Sequence, residues 1–208
     1  MNMDKALAVC LEAVHDAGIL TLGYFGRALE ARVKDDASPV TEADVRAEEL
    51  IRSRLERAFP DHGIQGEEHG LSNEGAGPRW YIDPIDGTKS FMRGVPLYAN
   101  LLALEVDGQV VVGAANFPAL GEVVYATRGG GAFLNGRPVR VRDTADLSQA
   151  MVAFTDAASF AKAGLEVGWR RLMDATYHRP GWSDAYGHAC VATGRVEVMV
   201  DPLLSAHD

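Results

Sequence analysis

Residues 98–141 read YANLLALEVDGQVVVGAANFPALGEVVYATRGGGAFLNGRPVRV. YANLLALEV is a strand, Asp107-Gly108 is a tight-turn signal, and QVVVGAANF is the return strand. Pro118 to Gly121 makes the next turn, EVVYAT follows, and GAFLN, Asn135-Gly136 and RPVRV continue the meander. Gly129-Gly130-Gly131 reads as a turn and not as a phosphate loop, because no lysine and helix follow it. An antiparallel sheet of this kind needs cover on at least one face.

The cover lies upstream. Residues 3–26 carry Leu7, Cys10, Leu11, Val14, Gly18 and Phe25 at helical spacing. Thr41 is an N-cap, with Asp44 three residues on as in a capping box. The second helix runs to about Ala58, before Phe59-Pro60, with Val45, Ile51, Leu55 and Ala58 as its apolar stripe. Residues 61–78 are loop with a short strand near Ile64, and RWYID is a strand running into PIDGTKSFMRG. Downstream the pattern changes to MVAFT as a short strand, a helix over 157–174, a helix over 183–194, and VEVMVD as a last strand. Two helices on an antiparallel sheet, then alternating β and α, give an α+β to α/β chain. The boundary separates an N-terminal domain, 1–142, from a C-terminal part, 143–208.

The 208 residues include 47% apolar and 24% charged side chains, the composition of a globular domain and not of a disordered or coiled-coil chain. Twenty basic against twenty-nine acidic residues, a net charge of −9, disfavour nucleic acid and anionic membrane as partners. Cys10 and Cys190 are too far apart in sequence and too few for a zinc site or a disulfide framework. No uncharged stretch is long enough to span a bilayer, and the charged N-terminus is no signal peptide. The chain is expected to be cytoplasmic.

Chemistry concentrates at Glu67, Asp83, Asp86, Gly87 and Thr88. Asp83 ends a strand, Asp86 follows across a proline turn, and Gly87 lets a ligand approach its N–H closely. Thr88 opens a short helix. Oxygen ligands beside a phosphate cradle suit magnesium, which binds through few carboxylates plus phosphate oxygens. Two carboxylates about 4 Å apart repel by roughly 4 kcal/mol at an effective dielectric of 20. Convergence therefore requires a divalent cation or protonation. Taken alone, D-x-x-D-G is also a common turn, and Glu67-Glu68 is also a solvated loop pair.

The combination of GEEHG at 66–70 and WYIDPIDGTKSF at 80–91 resembles the inositol monophosphatase superfamily of magnesium-dependent phosphomonoesterases. SPVTEAD at 38–44 and GWSDAYGHACVATGRVEVMVDPLLSAHD at 181–208 extend the resemblance over most of the chain. DGTKSFMRGVP, RGGGAF and AYGHACVATGR are similar to the histidinol-phosphatase branch. The resemblance implies a layered αβαβα sandwich, with the C-terminal part expected to be truncated after Asp208. It implies that Glu67, Asp83, the Ile85 carbonyl, Asp86 and Asp208 hold two or three magnesium ions. Asp44 and Thr88 orient and deprotonate a water, with Glu68 in support. Gly87 and Thr88 bind phosphate through backbone N–H groups, and Asp184 and Asp201 face the substrate. His207 departs from the family pattern, which has tryptophan there.

The implied activity is hydrolysis of a small phosphate monoester, L-histidinol phosphate first and inositol monophosphate or a sugar phosphate second, by a homodimer. A non-catalytic binding relative or a weakly active fragment is the reading from another class. Trp80, Trp169 and Trp182 read as packing residues, and Trp182, beside Asp184, has edging the substrate pocket as its alternative. His15, His62, His69, His178 and His188 show no ligand spacing.

Overall fold

The computed structural model describes residues 2–27, 31–33, 39–75 and 77–205. In chain order the elements are α1 (Met3–Leu22), β1 (Arg32–Val33), β2 (Pro39–Val40), α2 (Glu42–Ala58), β3 (Gly63–Gly66), β4 (Gly70–Ser72), β5 (Arg79–Asp86) and α3 (Thr88–Met92). They continue as β6 (Ala99–Val106), β7 (Gln109–Phe117), β8 (Glu122–Thr127), β9 (Gly131–Leu134), β10 (Arg137–Val139), β11 (Val152–Phe154), α4 (Ala157–Lys162), α5 (Glu166–Ala175), α6 (Asp184–Ala192) and β12 (Val198–Val200).

Local chemistry starts and stops the two long helices. Asn2 caps α1 by accepting from the Lys5 N–H at 3.0 Å. The helix ends at Leu22, four residues earlier than its pattern suggests, in turns through Gly23 to Gly26. Thr41 caps α2 with the capping box that its spacing predicts. The Thr41 N–H donates to Asp44 Oδ2 at 2.8 Å, and the Thr41 Oγ1 accepts from the Ala43 N–H at 3.2 Å.

Eight strands form one sheet in the order β10-β9-β8-β7-β6-β5-β3-β4. The meander from β5 to β10 is antiparallel throughout, and β3 runs parallel to β5. The short strand anticipated near Ile64 is β3, and β4 pairs with it as an additional edge. α1 and α2 cover one face. Their Cys10, Val14, Ile51 and Leu55 pack against Trp80, Ile82, Leu102 and Leu104, all at most 1% exposed. Burying a large apolar side chain of this kind contributes about 1.5–3 kcal/mol. α1 reaches the sheet closely because its inner face is small, with Ala6, Ala13, Ala17 and Gly18. Asn116 crosses the resulting gap and donates to the Val14 carbonyl at 2.8 Å.

The other face carries α6. Ala185, Tyr186 and Ala189 meet Ala99, Phe117 and Val124 of the sheet. The opposite side of α6 places Cys190 against Ala153 of β11, which pairs in parallel with β12. Ala153 thus faces α6, while its neighbour Phe154 stacks edge-on against Trp169 of α5 at 4.9 Å. Alternation along a strand puts these two side chains on opposite faces. The layers are therefore α1–α2, the large sheet, α6, the β11–β12 pair, and α4–α5, which is the αβαβα sandwich. Residues 157–174 differ from expectation. They form two helices and not one, broken at Gly164, whose φ of +70° ends the first.

Candidate active site

β5 does not stay regular to its end. Its register against β6 shifts between Asp83 and Asp86, where Pro84 cannot donate to the ladder. The irregularity is held from below, as the buried Asn100 side chain donates to the Pro84 carbonyl at 2.7 Å. Asp83 is 2% exposed and its Oδ1 accepts from the Ile85 N–H at 3.1 Å. Gly87 then takes φ +78° and starts α3, with Asp184 Oδ2 and the Leu97 carbonyl crowding the place where a Cβ would stand.

Thr88 links this turn to α2. Its hydroxyl donates to the Ile85 carbonyl at 3.0 Å and lies 3.5 Å from Asp44 Oδ1, at the limit of a hydrogen bond. Asp44 is 1% exposed, and its other oxygen receives the Thr41 hydroxyl at 2.5 Å. Burial pushes the Asp44 carboxyl above the usual range, and the charge of Glu67 adds to this, while the Thr41 hydrogen bonds oppose it.

Glu67 follows β3 and donates its N–H to the Ile82 carbonyl of β5 at 3.2 Å. Its turn is pinned by a residue that the sequence analysis passed over. The buried Glu48 carboxylate accepts from the Glu68 N–H at 2.7 Å, the His69 N–H at 3.1 Å and Arg52 Nε at 2.7 Å. Arg52 in turn holds Ser72 Oγ at 3.1 Å and the Gly70 carbonyl. Glu68 therefore meets Glu48 through its backbone.

The third wall comes from the C-terminal layers. The Ala185 N–H, at the start of α6, donates to Asp86 Oδ2 at 2.6 Å. The Asp184 N–H donates to Thr155 Oγ1 at 2.9 Å, and the Thr155 hydroxyl donates to Asp201 Oδ2 at 2.6 Å. Thr155 was likewise not anticipated, since an isolated threonine after a short strand carries no sequence signal. A cavity of about 830 Å³ opens between these walls, and Glu67, Asp86, Asp184 and Asp201 all line it together with Lys89 and Lys162.

Of the residues expected at the site, four thus share one cavity. Asp44, Ile85 and Thr88 form a second group joined by the Thr88 hydroxyl. Asp83 sits in the strand behind them, and Gly87 forms the turn. Asp208 and His207 lie outside the described residues. Among the described residues, no three Asp, Glu, His or Cys side chains converge closely enough to hold a metal ion. The donors on offer are carboxylates and one carbonyl, all hard oxygens, and the charge of Glu67 already bears on Asp44. That donor set fits magnesium and has none of the nitrogen or sulfur that zinc prefers.

The five-layer sandwich thus encloses a cavity with Glu67, Asp86, Asp184 and Asp201 at its rim and Leu101, Ala114 and Val124 of the sheet at its base. The chain matches the inositol monophosphatase family over residues 2–203. It is 49% identical over 208 residues to the histidinol-phosphatase of Chlorobaculum parvum, covering 99% of this chain and 80% of that one. It is 38% identical to the histidinol-phosphatase of Mycobacterium tuberculosis, covering 97% and 80%. Among solved structures, an inositol monophosphatase from Zymomonas mobilis superposes with a TM-score of 0.85 at 29% identity, covering 100% of this chain and 80% of that one. A Thermotoga maritima IMPase superposes with a TM-score of 0.81 at 32% identity, covering 89% and 71%. The protein belongs to the inositol monophosphatase family, whose members are phosphatases of phosphoric monoesters and generally magnesium-dependent.

Proposed function

We propose that this protein is a magnesium-dependent phosphomonoesterase that hydrolyses L-histidinol phosphate. The observation that carries the reading is the placement of Asp184 and Asp201 in the same cavity as Glu67 and Asp86. A phosphate held at the Glu67–Asp86 end leaves the rest of a small ester beside two carboxylates. The ammonium group of an amino alcohol phosphate complements them. The relatives named histidinol-phosphatase support the same choice.

Glu67, Asp83, Asp86 and the Ile85 carbonyl are the residues assigned to magnesium, with Asp208 assigned by resemblance, for two or three ions in all. When bound, magnesium draws charge from the phosphoryl oxygens and makes a neighbouring water more acidic. The chain's own part is orientation and proton handling. Thr88 presents its hydroxyl between the Ile85 carbonyl and Asp44. Asp44, whose carboxyl is already pushed up by burial, is suited to hold a proton passed through Thr88. Glu68 supports the same water. The Gly87 and Thr88 N–H groups serve the phosphate. No serine or cysteine nucleophile is needed. No helix among the described residues is long and apolar enough to cross a membrane. The reading extends to a cytoplasmic homodimer, for which sedimentation velocity is the check.

The test is phosphate release from L-histidinol phosphate and from inositol 1-phosphate, with magnesium and with EDTA. We expect turnover of histidinol phosphate with the higher kcat/KM, lost in EDTA and restored by magnesium. Full activity in EDTA would remove the metal assignment. A clear preference for inositol 1-phosphate would move the substrate to the second member of the pair.

A further inference from the structure

Asp184 has an unusual backbone. Its φ is +56°, in the left-handed region that residues other than glycine seldom enter. Such a conformation persists where surrounding contacts determine it, and it is often found at ligand sites. Two hydrogen bonds hold it here, the Asp184 N–H on Thr155 Oγ1 and the Ala185 N–H on Asp86 Oδ2.

Thr155 is placed for this by strand register. Phe154 of β11 and Val200 of β12 are partners in the parallel pair. The next residues, Thr155 and Asp201, leave the pair side by side at its carboxyl end, where ligands collect in parallel sheets. A hydroxyl has one hydrogen. Thr155 gives it to Asp201 Oδ2, and its lone pairs face the Asp184 N–H. One oxygen atom therefore ties the Asp201 carboxylate to the backbone of Asp184.

We infer that Thr155 is a positioning residue for substrate selection, which fixes Asp184 and Asp201 relative to each other and so sets affinity for the part of the substrate beyond the phosphate. The inference rests on the proposed function, in which those two carboxylates face that part. Thr155 need not touch the substrate. Valine is its isostere without the hydroxyl, and it would release Asp201 and leave the Asp184 N–H without its acceptor. Serine keeps the oxygen.

The experiment compares Thr155→Val, Thr155→Ser and Asp184→Asn with the parent, all in magnesium and all checked for folding by thermal melting. For Thr155→Val we expect KM for L-histidinol phosphate to rise about tenfold, the scale of one hydrogen bond to a charged group. The fall in kcat should be smaller than that rise, and the rise in KM for p-nitrophenyl phosphate should be clearly smaller too. Amide hydrogen exchange at Asp184 should accelerate. Thr155→Ser should recover most of the affinity and the protection. Equal effects on both substrates, a serine variant as impaired as valine, or unchanged exchange at Asp184 would each overturn the inference. Failure of the substrate reading looks different. There the parent ignores histidinol phosphate, or Asp184→Asn leaves its KM unchanged. The Thr155 series is then read on the monoester the parent prefers, with the same exchange criterion.

Discussion

Gly66 lies so close against the Glu48 carboxylate that no Cβ fits between them. That contact lets β3 pass over α2, and it places the next residue, Glu67, at the cavity. Glu48 is wholly buried, with Arg52 as its ionic partner and the Glu68 and His69 N–H groups as further donors. Removing one member of a buried pair leaves the other uncompensated, at a cost of about 3–5 kcal/mol. Glu48→Ala is expected to lose stability on that scale in urea unfolding. Gly66→Ala should lose about 1–3 kcal/mol by overpacking. A Glu48→Ala protein as stable as the parent would show that the pair does not anchor the turn.

The Thr88–Asp44 pair leads to a different expectation, a loss of rate with little loss of stability. Thr88→Ala and Asp44→Asn are expected to lower kcat by about 10²–10⁴. Both should keep most of the magnesium affinity, because neither is assigned as a ligand. Kinetics beside a magnesium titration by calorimetry separates the two effects. A Thr88→Ala enzyme that turns over like the parent would refute the role.

Glu197 gives a pH dependence remote from the cavity. Burial raises its carboxyl, but the Met151 N–H at 2.7 Å, the Thr144 hydroxyl at 2.8 Å and nearby Arg142 outweigh it, so the group lies below its ordinary 4.5. A carboxyl lowered in the folded state adds stability above its unfolded pKa, and that stability is lost as pH falls through the folded value. Glu197→Gln should therefore be less stable than the parent at pH 7, by about 1–2 kcal/mol. The gap should narrow as pH drops below 4.5. Arg142 is mostly exposed, so its ion pair contributes little. Thermal melts of both proteins across pH 3–7 provide the check, and a gap that widens toward acid would contradict the assignment.

Sequence by itself determined the features whose hydrogen bonds close within a few residues. The meander was legible because Asp107-Gly108 and Asn135-Gly136 are turn signals and the strands between them are apolar. The start of α2 was legible because Thr41 and Asp44 satisfy each other across one helical turn. The turn from Asp83 through Asp86 to Gly87 was legible as a motif, because a proline and a glycine end the strand there. Tertiary structure alone decided the rest. A glutamate followed four residues later by an arginine reads as a solvated helix pair, and only the passage of β3 and β4 over α2 buries Glu48 and Arg52. The packing of α4 on α5 rests on Phe160 and Trp169, stacked at 4.0 Å, a contact between two short helices that local periodicity does not encode. Thr155 and Asp201 stand 46 residues apart in sequence and meet only because β11 and β12 pair in parallel. A local pattern carries the energy of neighbours in the chain. The choice of which carboxylates share a cavity depends on contacts between distant segments, and those form only when the layers stack.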